Sequence, residues 1–109
     1  MSREKERGKE VSEKMRTLVI MGETAAAGTT TEITLSNIPP LASIVAGKLY
    51  DRSAASVSDL TVVSDTPDEN GEIQLTATNK FKIYLTNGLA EDDILILQVE
   101  VVGEKVAVE

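Results

Sequence analysis

Residues 94–102 are ILILQVEVV, the most apolar strand-like stretch of the chain. Successive side chains of a β-strand point to opposite faces of the sheet. One face of this stretch is aliphatic throughout, with Leu95, Leu97, Val99 and Val101. Ile94 and Ile96 make part of the opposite face apolar as well. The stretch is therefore predicted to be a central strand, or to meet another surface on both faces.

Short runs of β-type composition precede this stretch, and turn-forming residues such as Pro39 and Pro40 separate them. The runs cover residues 17–21, 29–35, 43–50, 60–63, 72–77 and 80–85, and a short terminal strand is predicted at 105–108. The run KFKIYL alternates regularly, with Phe81, Ile83 and Leu85 on one face and Lys80, Lys82 and Tyr84 on the other. This alternation predicts a half-buried strand.

Seven or eight short strands, without a long helical period after residue 16, predict an all-β fold. We expect an antiparallel β-sandwich or small barrel of the immunoglobulin-like kind. Parallel pairing is not expected, because the pattern lacks the crossover helices that usually connect parallel strands. The 109 residues allow one core, so residues 17–109 are predicted to form a single β domain.

The N-terminal segment 1–16 differs from the rest of the chain in charge. It holds six of the 11 basic residues and four of the 18 acidic ones, so it carries +2 and leaves −9 on residues 17–109. The basic residues are Arg3, Lys5, Arg7, Lys9, Lys14 and Arg16. Two interpretations remain open: a mobile, solvated tail, or an arm that docks on an acidic neighbour.

Composition argues against several classes of function. The chain has no histidine and no cysteine, which removes disulfides and most zinc sites. Nucleic-acid binding is unlikely to be its role, since the net charge is −7 and the only aromatic residues are Tyr50, Phe81 and Tyr84. No apolar stretch approaches the roughly 18 residues that span a bilayer. We therefore expect a soluble chain with no membrane partner and no cleaved leader.

The densest group of potential metal ligands is SDTPDENGEIQL, residues 64–75. If Gly71 is placed on the invariant glycine of a helix-loop-helix calcium loop, Thr66 and Ala77 fall on the first and last positions, where carboxylates are expected. A tight hairpin turn at Asn70 and Gly71 is the favoured interpretation. Weak calcium binding by residues 65–72 stays open, and no metal or cofactor is predicted.

Catalysis is not expected. Serine and threonine hydroxyls have no histidine to act as their base, and Lys80 and Lys82 are explained as the wet face of a strand. The acidic run at 91–93 precedes the most apolar strand and is interpreted as a solvated turn. The chain is therefore predicted not to be an enzyme.

The layout of residues 44–103 resembles small all-β virion structural proteins of tailed phages and related viruses, of the capsid decoration or cement type. A strand ending in GKLY (47–50) leads to a polar loop and a second apolar strand. A turn-flanked strand follows, and the turn LTNGLAEDD (85–93) then precedes a long final strand. The resemblance covers strand layout and includes no diagnostic motif.

The resemblance implies a protein whose work is binding within a virion, as a homo-oligomer or on a capsid or other structural protein. Eight residues are candidate partner contacts: Arg3, Lys5, Arg7, Lys9, Lys14, Arg16, Ile94 and Ile96. The alternative is an immunoglobulin-like ligand-binding or adhesion module that depends on glycan or calcium. A soluble location in an unspecified compartment accompanies that alternative.

Overall fold

The computed structural model describes residues 13–102, with side chains from residue 15 onward, and places seven β-strands and no helix in that range. The strands are β1 (Glu13–Met21), β2 (Thr31–Thr34), β3 (Leu41–Asp51), β4 (Ser56–Val62), β5 (Glu72–Ala77), β6 (Lys80–Tyr84) and β7 (Ile94–Val102). The all-β prediction is confirmed. The strand predicted at 105–108 lies outside the described residues.

The seven strands form one curled sheet in the order β1-β7-β3-β4-β5-β6-β2, with the shape of a half-barrel. Strand β7 lies between β1 and β3 and pairs antiparallel with both, so the predicted central strand is confirmed. The two packed layers of an immunoglobulin-like sandwich are not confirmed. Within residues 13–102, no helix is long and apolar enough to cross a membrane.

Strands β4 and β5 pair in parallel, contrary to the sequence prediction. Only two pairs form, Thr61 with Glu72 and Val62 with Ile73, so the loop 63–71 can return the chain without a crossover helix. The loop is held by buried Pro67, whose carbonyl accepts a hydrogen bond from Thr30 Oγ1 at 2.6 Å. The predicted tight turn at Asn70 and Gly71 is present, because the Glu72 amide donates to the Glu69 carbonyl at 3.1 Å and Gly71 has φ of +86°. It does not connect a hairpin, because a hairpin joins antiparallel strands and β4 and β5 are parallel.

The core lines the concave side of the curled sheet. Six of its side chains are completely or almost completely buried: Ile73, Phe81, Ile83, Leu95, Leu97 and Val99. The predicted burial of one face of KFKIYL is confirmed, because Leu85 is buried too and the lysines of that strand are partly exposed. An aliphatic core of this kind follows from a chain with three aromatic residues.

The first strand begins four residues before its predicted start, because β1 runs from Glu13 and not from residue 17. Strand β7 offers nine residues of partner backbone, and Glu13 pairs with Val102 at the far end of the ladder. Backbone pairing does not require apolar side chains, so a charged segment can extend the strand along an edge. Strand β4 likewise begins earlier than predicted, at Ser56.

Two long loops, residues 22–30 and 85–93, contact each other. Ala25 and Leu89 form an isolated antiparallel bridge with N···O distances of 3.1 and 2.9 Å. Gly88, with φ of +75°, lies so close to this bridge that a β-carbon there would be 2.7 Å from the Ala25 carbonyl oxygen. The loop 85–93 is thus fixed against the loop 22–30.

The acidic run at 91–93 is only partly a solvated turn. Glu91 and Asp92 are exposed, but Asp93 is buried, which corrects the prediction for that residue. Asp93 Oδ2 accepts a hydrogen bond from the Ala90 amide at 2.8 Å, and the Asp93 amide donates to the Ala90 carbonyl at 3.0 Å. This carboxylate therefore shapes the turn that leads into β7.

Candidate functional site

The convex side of β1, β7, β3 and β4 carries a row of apolar side chains. The strand register places Met21 beside Ile94, Ile94 beside Tyr50, and Tyr50 beside Val57. Because side chains alternate along each strand and the neighbours of Ile94 on β7 point to the core, these four side chains share the outer face. The row crosses four strands.

A second row lies one pleat further along the same strands. Val19 is beside Ile96, Ile96 is beside Lys48, and Lys48 is beside Asp59. Lys48 Nζ and Asp59 form an exposed ion pair, which contributes little to stability in water. The second row is thus apolar toward β1 and charged toward β4.

We call six of these side chains the outer apolar face: Val19, Met21, Tyr50, Val57, Ile94 and Ile96. Val19, Met21 and Val57 are 60%, 64% and 59% exposed. Ile94 and Ile96 are half-buried because neighbouring strands flank them on both sides. Contiguous apolar surface on a folded domain is a candidate interaction site.

Among residues 13–102, the outer apolar face ends at an edge strand of the sheet, β1. Within that range β1 pairs with β7 alone, in a nine-residue ladder without a register shift. The opposite edge, β2, is only four residues long. Between the two edges lies a groove of about 220 Å³, lined on the β1 side by Leu18, Val19, Ile20 and Met21.

The structure brings together only some of the residues predicted from the sequence as partner contacts. Ile94 and Ile96 lie in the outer apolar face, and Arg16 is exposed on β1. Lys14 belongs to the backbone ladder of β1. The remaining four, Arg3, Lys5, Arg7 and Lys9, lie outside the described residues.

Sequence reasoning missed Val19, Met21 and Val57. The run TLVIM at 17–21 is apolar on both faces, since Leu18 and Ile20 alternate with Val19 and Met21. That two-sided pattern is the same signal that identified residues 94–102, and it was available in the sequence. Val57 had no comparable signal, because it lies among small polar residues.

A polar pocket of about 390 Å³ opens on the concave side, between the start of β4 and the loop 85–93. Its polar lining includes Asp51, Ser56, Ser58, Asn70, Asn87 and Asp93. Leu49, Leu60 and Leu85 form its apolar part. A hydroxyl, amide and carboxylate lining over an aliphatic floor can hydrogen-bond a small polar ligand.

Two of the potential ligands in the loop considered for calcium, Glu72 and Asn70, accept hydrogen bonds from backbone amides. Glu72 Oε1 accepts hydrogen bonds from the amides of Asp68 and Glu69 at 3.0 and 3.2 Å. Asn70 Oδ1 accepts from the Thr86 amide at 2.9 Å. Across residues 13–102, no three or more acidic side chains converge as the ligands of a metal ion would.

Comparisons of the chain with protein-family models, with curated proteins and with solved structures find no match. Among the described residues, the candidate sites are the outer apolar face, the edge of β1 and the polar pocket.

Proposed function

We propose that this chain is a non-catalytic structural protein that associates with copies of itself and with a larger protein assembly. Its proposed setting is a virion, where it acts in the manner of a capsid decoration protein. The observation that carries the proposal is the outer apolar face, whose side chains cross four adjacent strands.

The outer apolar face supports association because its burial is favourable. Removing apolar surface from water contributes about 25 cal/mol per Å². Val19, Met21 and Val57 are each more than half exposed, so most of their apolar surface is still available to a partner. An aliphatic centre surrounded by charged residues such as Lys48 and Asp59 has the composition of a protein–protein contact.

The charged groups next to these surfaces are engaged in structural contacts. Asp93 is bound to the Ala90 amide, Lys48 to Asp59, and Glu72 to two loop amides. This use of the side chains supports a binding role over a chemical one.

The test is the mass of the protein in solution, measured by light scattering over a range of concentrations, together with electron micrographs of concentrated samples. We expect a defined oligomer or an ordered array. Ile96→Lys should reduce association by placing a charge in the outer apolar face. The matched control is Ala77→Lys, at an exposed position on β5, three strands from β7. Monomers at every concentration, without arrays, would contradict the proposal.

The polar pocket favours a second candidate, a ligand-binding or adhesion module of the immunoglobulin-like kind. Ser56 and Ser58 line the pocket together with Asn70 and Asn87, and these groups match the hydroxyls of a glycan. A glycan array is the direct test, repeated with Asn87→Ala and with calcium added. Binding that this substitution abolishes would support the second candidate over the first.

A further inference from the structure

We infer that β1 is the contact through which two copies of this chain pair: their β1 strands lie antiparallel across a two-fold axis near residues 17–19. The two curled sheets then become one continuous sheet. The inference rests on the proposed function, and it names the partner and the mode of contact.

The second half of β1, residues 17–21, lacks the features that keep a sheet edge from pairing, whereas the charged residues of the strand, Glu13, Lys14 and Arg16, lie before it. Natural edges are kept apart by short strands, prolines, bulges or inward-pointing charges. Strand β1 has nine residues, no proline and an unshifted ladder with β7. Toward solvent its outer face presents Met15, Val19 and Met21, which are 55%, 60% and 64% exposed. The edge is long, regular and apolar on its outer face.

Symmetry restricts how two β1 strands can pair. The outer faces of both copies must stay on the same side of the joined sheet. Odd-numbered residues of one copy must therefore lie opposite odd-numbered residues of the other, which places the two-fold axis between two copies of the same residue. An axis at residue 14 places Lys14 opposite the Lys14 of the second copy, and an axis at residue 16 does the same for Arg16. An axis at residue 15 places Lys14 opposite Arg16. Like charges directly opposite each other are destabilising, so these axes are disfavoured.

Axes at residues 17, 18 or 19 avoid this repulsion and join apolar side chains. An axis at Thr17 places Met15 opposite Val19 of the second copy, and an axis at Leu18 places Met15 opposite Met21. An axis at Val19 pairs that residue with itself. In each case Arg16 faces an uncharged position, and axes further along the strand shorten the ladder.

A second copy fits this edge better than an unrelated strand, because the contact is self-complementary. Each copy supplies the same unpaired backbone groups, so one contact satisfies both edges. Because the outer apolar face begins at Val19 and Met21, joining two β1 strands also joins two outer apolar faces into one surface. That surface would then be available to a larger assembly.

The test uses the absence of cysteine from the chain. Thr17→Cys alone, Val19→Cys alone and an equal mixture of the two report axes at residues 17, 19 and 18. Residues directly opposite in an antiparallel pair have Cα atoms about 4.5–5.5 Å apart, which suits a disulfide. Ala77→Cys is the control, since Ala77 is exposed on β5, outside the outer apolar face and four strands from β1.

After mild oxidation, we expect at least one of the three β1 samples to give about tenfold more covalent dimer than Ala77→Cys on a non-reducing gel. Val19→Lys should lower the mass in solution to that of a monomer, with folding checked by circular dichroism. An oligomeric protein whose β1 cysteines cross-link no faster than Ala77→Cys would overturn the pairing and leave the proposed function standing. A protein that is monomeric throughout would overturn both.

Discussion

Gly47 and Leu97 face each other across the β3–β7 pairing so closely that a β-carbon on Gly47 would lie 2.9 Å from Leu97 Cδ2. The same β-carbon would lie 3.0 Å from Leu60 Cδ1. No larger residue fits between these two leucines without displacing them. The absence of a side chain at Gly47 therefore allows Leu60 and Leu97 to pack directly against the backbone of β3.

Gly47→Ala is expected to lower the free energy of unfolding by about 1–3 kcal/mol, because the added methyl overpacks a close contact. Denaturant unfolding measures the change. Ala46→Ser, at the exposed neighbouring position, is the control and should change stability by no more than about 0.5 kcal/mol. Equal stability of the two variants would show that Leu60 and Leu97 can move aside.

Gly88→Ala and Gly22→Ala separate backbone strain from packing. Both glycines have positive φ, +75° and +84°, so each substitution costs about 1–2 kcal/mol for the left-handed conformation. At Gly88 the methyl also meets the Ala25 carbonyl oxygen, whereas at Gly22 nothing lies within 4 Å. We expect Gly88→Ala to be the less stable variant in thermal unfolding by about 1 kcal/mol or more. Similar values would mean that the loops 22–30 and 85–93 are not held together.

Asp93→Ala should lower stability by about 1–3 kcal/mol, since it leaves the Ala90 amide without its side-chain acceptor in a partly buried turn. Asp92→Ala, at the exposed preceding residue, is the matched control and should be close to neutral. Chemical denaturation of both variants measures the difference. An Asp93 variant as stable as the Asp92 variant would show that the turn forms without the carboxylate.

Two truncations test where the domain begins. A chain of residues 13–109 retains every paired residue of β1, whereas a chain of residues 17–109 loses the four pairs from Glu13 to Arg16. We expect the chain of residues 13–109 to have the melting temperature of the full-length chain. The melting temperature of the chain of residues 17–109 should be lower by on the order of 5 °C or more. Equal melting temperatures for the two truncations would show that the first four pairs of the ladder contribute nothing.

The strands predicted correctly from the sequence are those whose own pattern of apolar and polar side chains marks where they begin and end. Strand β7 has the predicted bounds, because every second residue from Leu95 to Val101 is aliphatic and buried. Strand β6 matches within one residue, since Phe81 and Ile83 alternate with polar side chains. Two of the six residues of the outer apolar face, Ile94 and Ile96, were identified from the sequence for the same reason.

Features that depend on distant partners could not be predicted in this way. The parallel pairing of Thr61 with Glu72 depends on how loop 63–71 packs through Pro67, which no local pattern records. The start of β1 at Glu13 depends on the length of β7, whose last residue is 89 positions away in sequence. The burial of Asp93 depends on a turn that closes over its own carboxylate.

Strand β7 is central in the sheet, but it follows all the other described strands in the chain. During synthesis at about 5–20 residues per second, β1 and β3 therefore wait several seconds for the strand that joins them. In that interval the edges of both strands are open to other nascent chains. The described sheet can be completed only after Val102 has been translated, so β1 and β3 stay unjoined until the whole of β7 has been made.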